Sequence, residues 1–261
     1  MAKNPKSPDQ TRKPPFETDD LRKNLALFLD KSYPDPAGGY QKIGNFRWGV
    51  YAFFDYDGEP IYVGQTNEMV RTRIRRHLTN QRTDAVAMSV LDPFEVYNIK
   101  VWPLSQYQDV TKNSPKKQFN DAKTHLNALE RAIYDKAISD STFGAILNEK
   151  NPPNVGKQIQ LPPVCEDRIV SEEVHKIRSH PDFRISRRAL IISRLAQVIA
   201  ERKVQPGLRR VMLTQAKRLK WLAKRRYEAL GGAAVVPVKA ADEEENDGNK
   251  EANGNGEADE S

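Results

Sequence analysis

Gly49-Val50-Tyr51-Ala52-Phe53-Phe54, Asp55-Tyr56-Asp57-Gly58 and Glu59-Pro60-Ile61-Tyr62-Val63-Gly64 are the residues that decide the fold. Two runs of apolar, aromatic and β-branched residues flank an Asp-Gly pair, the signal of a tight hairpin turn. The reading is a strand over 48–54, a turn, and a return strand over 59–64. Each strand carries a tyrosine close to a glycine. Strand propensity explains one tyrosine, but not the pair followed directly by Arg71-Thr72-Arg73-Ile74-Arg75-Arg76-His77. Gln65-Thr66-Asn67-Glu68 supplies a loop and a cap, and a helix is expected over 69–80. Arg73 and His77, four residues apart, then share one face of that helix.

Outward from the hairpin, 94–102 reads as a third strand, 105–120 as a polar surface loop and 121–138 as an amphipathic helix with Leu126, Leu129, Ile133 and Ala137 on one side. Residues 145–148 read as a short helix. On the N-terminal side, Asp19-Asp20 is expected to cap a helix reaching Lys31, with Leu21, Leu25 and Phe28 on its stripe. Residues 1–19 lack apolar periodicity and are expected to be disordered. Prolines crowd 151–163, which suggests a linker over 155–170. Helices are expected over 171–179, 187–203 and 208–230, the last two forming a basic helical hairpin within 171–232. An acidic, low-complexity tail fills 233–261.

Tyrosines on neighbouring antiparallel strands can aim their hydroxyls at one point. Arginine donates two parallel hydrogen bonds to a phosphate, and histidine can carry a proton near neutral pH. Glu130 stands among apolar neighbours, where a carboxylate needs a partner or a cation. Hydrolysis of a phosphodiester needs a proton acceptor, a phosphate clamp and charge neutralisation, commonly by a metal. Each residue also has a plainer role. The tyrosines could be half-buried sheet residues, Arg73 one solvated arginine among several, and Glu130 a surface partner of Arg131, Lys123 or Lys136.

In order and spacing these residues resemble the GIY-YIG nuclease domain. Gly49-Val50-Tyr51 and Tyr62-Val63-Gly64 match its paired tripeptides, Arg73 with His77 its Arg-x-x-x-His helix, Glu130 its helical glutamate and Asn148 its late asparagine. Asn151 and Asn154 are alternatives for that last place. The resemblance covers about 47–154, with 20–46 as an N-terminal helix and linker. It implies an α/β (α+β) sandwich with a small antiparallel three-stranded sheet flanked by helices. It also implies DNA cleavage with a single Mg²⁺ (or Mn²⁺) on Glu130. Tyr51 or Tyr62 would position or deprotonate water, Arg73 clamp the phosphate, His77 share the proton work and Asn148 brace the site. Restriction-like and repair or structure-specific enzymes fit equally, and so does a homodimer. A non-cleaving nucleic-acid-binding protein on the same scaffold is the alternative.

The chain carries a formal net charge of +7 over 261 residues. Between Asp242 and Glu260 stand nine acidic residues and one lysine, net −8, which leaves +15 on the remainder. A body so basic attracts polyanions. Arg71, Arg75, Arg76, Arg218, Lys224 and Arg225 are the expected nucleic-acid contacts. The single cysteine, Cys165, excludes an intrachain disulfide framework and a thiolate metal cluster. No apolar run approaches the roughly 18 residues a membrane helix needs, and the first residues have no apolar signal core. A cytoplasmic protein associated with nucleic acid is the expectation.

Overall fold

The computed structural model describes residues 16–34, 38–79, 90–156 and 159–233. Of the disorder expected over 1–19, residues 1–15 lie outside them, as does the acidic tail beyond residue 233, whereas 16–19 are helical because Phe16 to Leu29 form one continuous helix. Strand β1 (Ser32–Pro34) pairs with β2 (Tyr40–Lys42) in a small ribbon, while β3 (Gly49–Phe54), β4 (Pro60–Thr66), β5 (Asn98–Pro103) and β6 (Cys165–Arg168) form the main sheet. Its order is β4-β3-β5-β6 with every pairing antiparallel.

The sheet therefore has four strands where three were expected. The added strand falls inside the stretch read as linker. Cys-Glu-Asp-Arg has no apolar alternation to betray it, because β6 is an edge strand whose charges blunt further pairing. Lys100 and Glu166 face each other across it, 2.7 Å apart.

Helix α1 (Phe16–Leu29) lies beside this sheet, α2 (Val70–Leu78) follows β4, and α3 (Lys116–Asp140) follows β5. Asp19 and Asp20 lie inside α1 and do not cap it. Asp20 instead accepts a hydrogen bond from Ser171 N at 3.0 Å, at the start of α4 (Glu172–Arg178). Helix α3 starts five residues earlier than expected, since Phe119 and Ala122 extend its apolar stripe back from Leu126. Residues 145–148 are not helical.

Alternation along β3 sends Tyr51 and Phe53 to one face and Val50 and Ala52 to the other. The second face packs on α3 through Leu126, Leu129 and Ile133. The first meets α1, α2 and two C-terminal helices, α5 (Pro181–Glu201) and α6 (Pro206–Ala229), whose Ile191, Leu195, Leu208 and Val211 belong to the same core. Those helices share the core instead of hanging from it.

Candidate active site

Register places the tyrosines. Tyr51 stands opposite Gly64, and Tyr62 opposite Phe53. A Cβ built on Gly64 would come within 2.6 Å of the Tyr51 hydroxyl and 2.9 Å of the Tyr62 ring. Glycine at this position is therefore what leaves room for the two phenols to lie together, with ring centroids 6.3 Å apart. His77, from α2, completes the cluster at 5.8 Å from Tyr51 and 5.3 Å from Tyr62. Tyr51 is fully buried and Tyr62 only partly. Burial, with Tyr62 beside it, pushes the Tyr51 phenol well above the usual tyrosine value, so it keeps its proton.

Arg73 approaches from one turn before His77. Burial works against its charge, but Tyr51, Tyr62 and Glu68 hold the guanidinium above the usual arginine value. From the other side comes Glu130, with 9% of its surface exposed. Burial lifts its carboxyl to about 7, against the opposing pull of Arg73 and a hydrogen bond from Gln65. None of the surface partners open to Glu130 is used, since Arg131 pairs with Asp135 and Lys136 with Asp140. A cleft of about 280 Å³ adjoins this group, lined by Gln65, Thr66, Asn67, Glu68, Arg73, Lys123, Leu126 and Asn127.

The oxygens here suit a hard cation. Gln65 Nε2 donates to Asn127 Oδ1 at 3.0 Å, while its buried Oε1 has no hydrogen-bond partner. With the two oxygens of the Glu130 carboxylate, that makes three oxygens on neighbouring side chains. Among the described residues no cluster of three or more His, Cys, Asp or Glu side chains forms a metal cage.

Asn148 acts on the strand and not within the cleft. Its Nδ2 donates to Val63 O at 2.7 Å and its Oδ1 accepts from Val63 N at 3.0 Å. Leu147 N adds a bond to Ile61 O at 2.8 Å. The outer edge of β4 is thereby paired on both sides of Tyr62. The alternatives are occupied elsewhere. Asn151 Oδ1 accepts from Tyr134 Oη at 2.8 Å, and Asn154 Oδ1 from Gly156 N at 3.0 Å.

The expected nucleic-acid contacts divide. Arg218 is a correction: it is 1% exposed and paired with Asp55 in the interior, so it presents nothing to a ligand. Arg71 is half-buried and paired with Asp30, and Arg76 grips Glu68 through two bonds of 2.8 and 3.0 Å. Arg75, Lys224 and Arg225 are exposed, the last stacked 4.5 Å over Trp221. Missed from the sequence were Gln65, Lys123 and Asn127. The last two stand seven and three residues before Glu130, a helical spacing that was readable once Glu130 was chosen.

Residues 47–131 match the family model of the GIY-YIG catalytic domain. No curated protein and no solved structure matches the chain. The match takes in Tyr51, Tyr62, Arg73, His77 and Glu130 and ends before Asn148.

Proposed function

We propose, taking residues 47–131 as a member of the GIY-YIG nuclease domain superfamily, that this chain is a divalent-metal-dependent DNA endonuclease. Nucleases of this family act on DNA. The observation that carries the reading is the position of Glu130, which α3 holds against Arg73 and Gln65 beside the tyrosine pair. A protein that only bound nucleic acid would bear the cost of burying that carboxylate without using it.

In this reading Arg73 holds two oxygens of the target phosphate and opposes the charge that builds on them. Tyr62, the more exposed phenol, orients a water in line with the phosphorus. The Tyr51 hydroxyl, held protonated, supports it as a donor. His77, packed on both rings, takes part in moving the proton that the water loses as its oxygen bonds to phosphorus. The ester P–O bond breaks, leaving a phosphomonoester and a free hydroxyl. Asn148 holds β4 straight through this. Glu130, with Gln65, would bind Mg²⁺ or Mn²⁺, which when bound supplies charge neutralisation at the phosphate.

The test is supercoiled plasmid with and without Mg²⁺ or Mn²⁺, beside Arg73→Ala and Glu130→Ala. Wild type should nick or linearise the plasmid only with metal, and both variants should lose the activity. Equal DNA binding by all three without cutting would establish a binding protein instead. Discrete fragments would mark a restriction-like enzyme, and preference for branched or flapped DNA a structure-specific one. A restriction-like enzyme cutting both strands would act as a homodimer, which light scattering of the chain with DNA would reveal. A cytoplasmic location accords with the lone Cys165 and with the absence, among the described residues, of a helix able to cross a membrane.

A further inference from the structure

Most of the arginines that the sequence offers to nucleic acid are already engaged within the protein, so the cations that remain free define where a polyanion can lie. Helix α3 carries such a set on one face. Lys116, Asn120, Lys123, Asn127 and Glu130 recur at intervals of four, three, four and three residues. At 3.6 residues per turn these five fall within an arc of about 80°.

Exposure declines along the stripe: Lys116, Asn120 and Lys123 are exposed, Asn127 is half-buried and Glu130 is buried. Lys123 and Asn127 line the same cleft as Arg73. Neither Lys116 nor Lys123 makes an ion pair with any described residue, whereas Lys136, on the opposite face of α3, sits 3.0 Å from Asp140. Among the described residues that line the cleft the only carboxylate, Glu68, is paired with Arg76. At the far end, α3 is preceded by Pro115, which supplies no side-chain cap, and has no acidic residue in its first turn. Its first backbone N–H groups therefore add to the positive end.

We propose that this face of α3 is the rail for the DNA strand that carries the target phosphate, with Lys123 and Lys116 on its sugar-phosphate backbone and Asn127 between Lys123 and the reacting centre. The inference rests on the nuclease reading above and adds the path of the substrate. Seven residues of helix advance about 10 Å, so Lys123 and Lys116 lie about 10 and 20 Å along α3 from Glu130. Lys123 and Lys116 thus stand at successive distances from the reacting centre, where one strand's phosphates can reach them. These contacts position the strand and read no sequence. They belong to binding and not to the chemical step.

The experiment measures binding of the full chain to a fluorescent duplex oligonucleotide by anisotropy in EDTA across a series of KCl concentrations. Wild type is compared with Lys123→Gln, with Lys116→Gln/Lys123→Gln, and with Lys136→Gln as an exposed control on the same helix. Each rail lysine removed should flatten the slope of log K against log[KCl] by about 0.9, and the control should match wild type. Circular dichroism and melting temperature should be unchanged in all, since every substituted side chain is exposed. An unchanged slope in the double variant, or an equal change in Lys136→Gln, overturns the rail. If wild type cuts plasmid with metal while the double variant keeps its slope, the rail falls and the nuclease reading stands. If wild type neither binds nor cuts DNA, both fall.

Discussion

A carboxyl group buried beside two phenols can lower its energy by keeping a proton or by taking a cation, and Glu130 is placed to do either. Its pKa in the folded chain, about 7, lies above the ordinary 4.5. The folded state therefore holds the extra proton in that interval. Its stabilising share is whole below the lower value and is lost as pH rises through the upper one, at a cost of about 3 kcal/mol by linkage. Glu130→Gln should accordingly unfold at higher urea than wild type at pH 8 in a chelator, and at nearly equal urea at pH 5. Adding Mg²⁺ at pH 8 should narrow the gap by stabilising wild type alone. A constant difference at both pH values would show that burial does not perturb Glu130. Gly64 makes the complementary case. Gly64→Ala would press a methyl group into the Tyr51 and Tyr62 rings, to which the fully buried Tyr51 cannot yield cheaply. A loss of about 1–3 kcal/mol and of plasmid cleavage is expected, measured by urea denaturation and the nicking assay. Gly64, like Tyr51, Tyr62, Arg73 and His77, was legible because its chemistry is tied to short spacings: two tripeptides and an i, i+4 pair. Gln65 was not, since its part depends on which of its amide atoms finds a partner in the folded chain.

The same limit governs the secondary structure. Strands β3, β4 and β5 and helices α1, α2 and α3 announce themselves by apolar period. Strand β6 has no such pattern and exists because β5 offers it an open edge. The segment after α3 was misread for a related reason. Ala145-Ile146-Leu147-Asn148 has helix-compatible residues, but Leu147 N and the Asn148 amide pair with β4 and hold the backbone extended along it. Arg210 of α6 then donates to the carbonyls of Asn148 and Glu149 at 3.2 and 3.1 Å, so the edge that carries Tyr62 is tied to the C-terminal helices. Asn148→Ala would leave both polar groups of Val63 unpaired in the interior, at about 1–3 kcal/mol for each such group. Asn148→Ala should melt earlier than wild type, with faster hydrogen exchange at Val63. Preserved exchange protection there would assign the brace to Leu147 alone.

Across the whole molecule, charge is sorted by sign and by depth. In the interior, Asp55 uses one carboxylate oxygen to hold the hairpin turn, accepting from Asp57 N at 2.9 Å and Glu59 N at 3.1 Å. Its other oxygen takes Arg184 at 3.1 Å, Arg188 at 2.9 Å and Arg218. This cluster fastens α5 and α6 to the turn and removes three arginines from the basic surface, which no reading of composition could have shown. Along the sequence, the rest of the chain carries charge opposite in sign to the acidic tail. Nine acidic residues against one lysine between Asp242 and Glu260 stand against +15 on the remainder. A tail of that charge would compete with phosphate for the rail lysines if α3 guides DNA, and such competition would weaken as salt shortens the screening length to about 10 Å at 0.1 M and less above it. Removing residues 241–261 should therefore tighten binding of a duplex oligonucleotide at low salt and change it little at high salt, read by anisotropy on the full and shortened chains. The gain should shrink when the shortened chain also carries Lys116→Gln/Lys123→Gln, because the tail and the strand would be competing for one surface. Equal affinity of the full and shortened chains at low salt would mean that the tail does not reach the DNA-binding face.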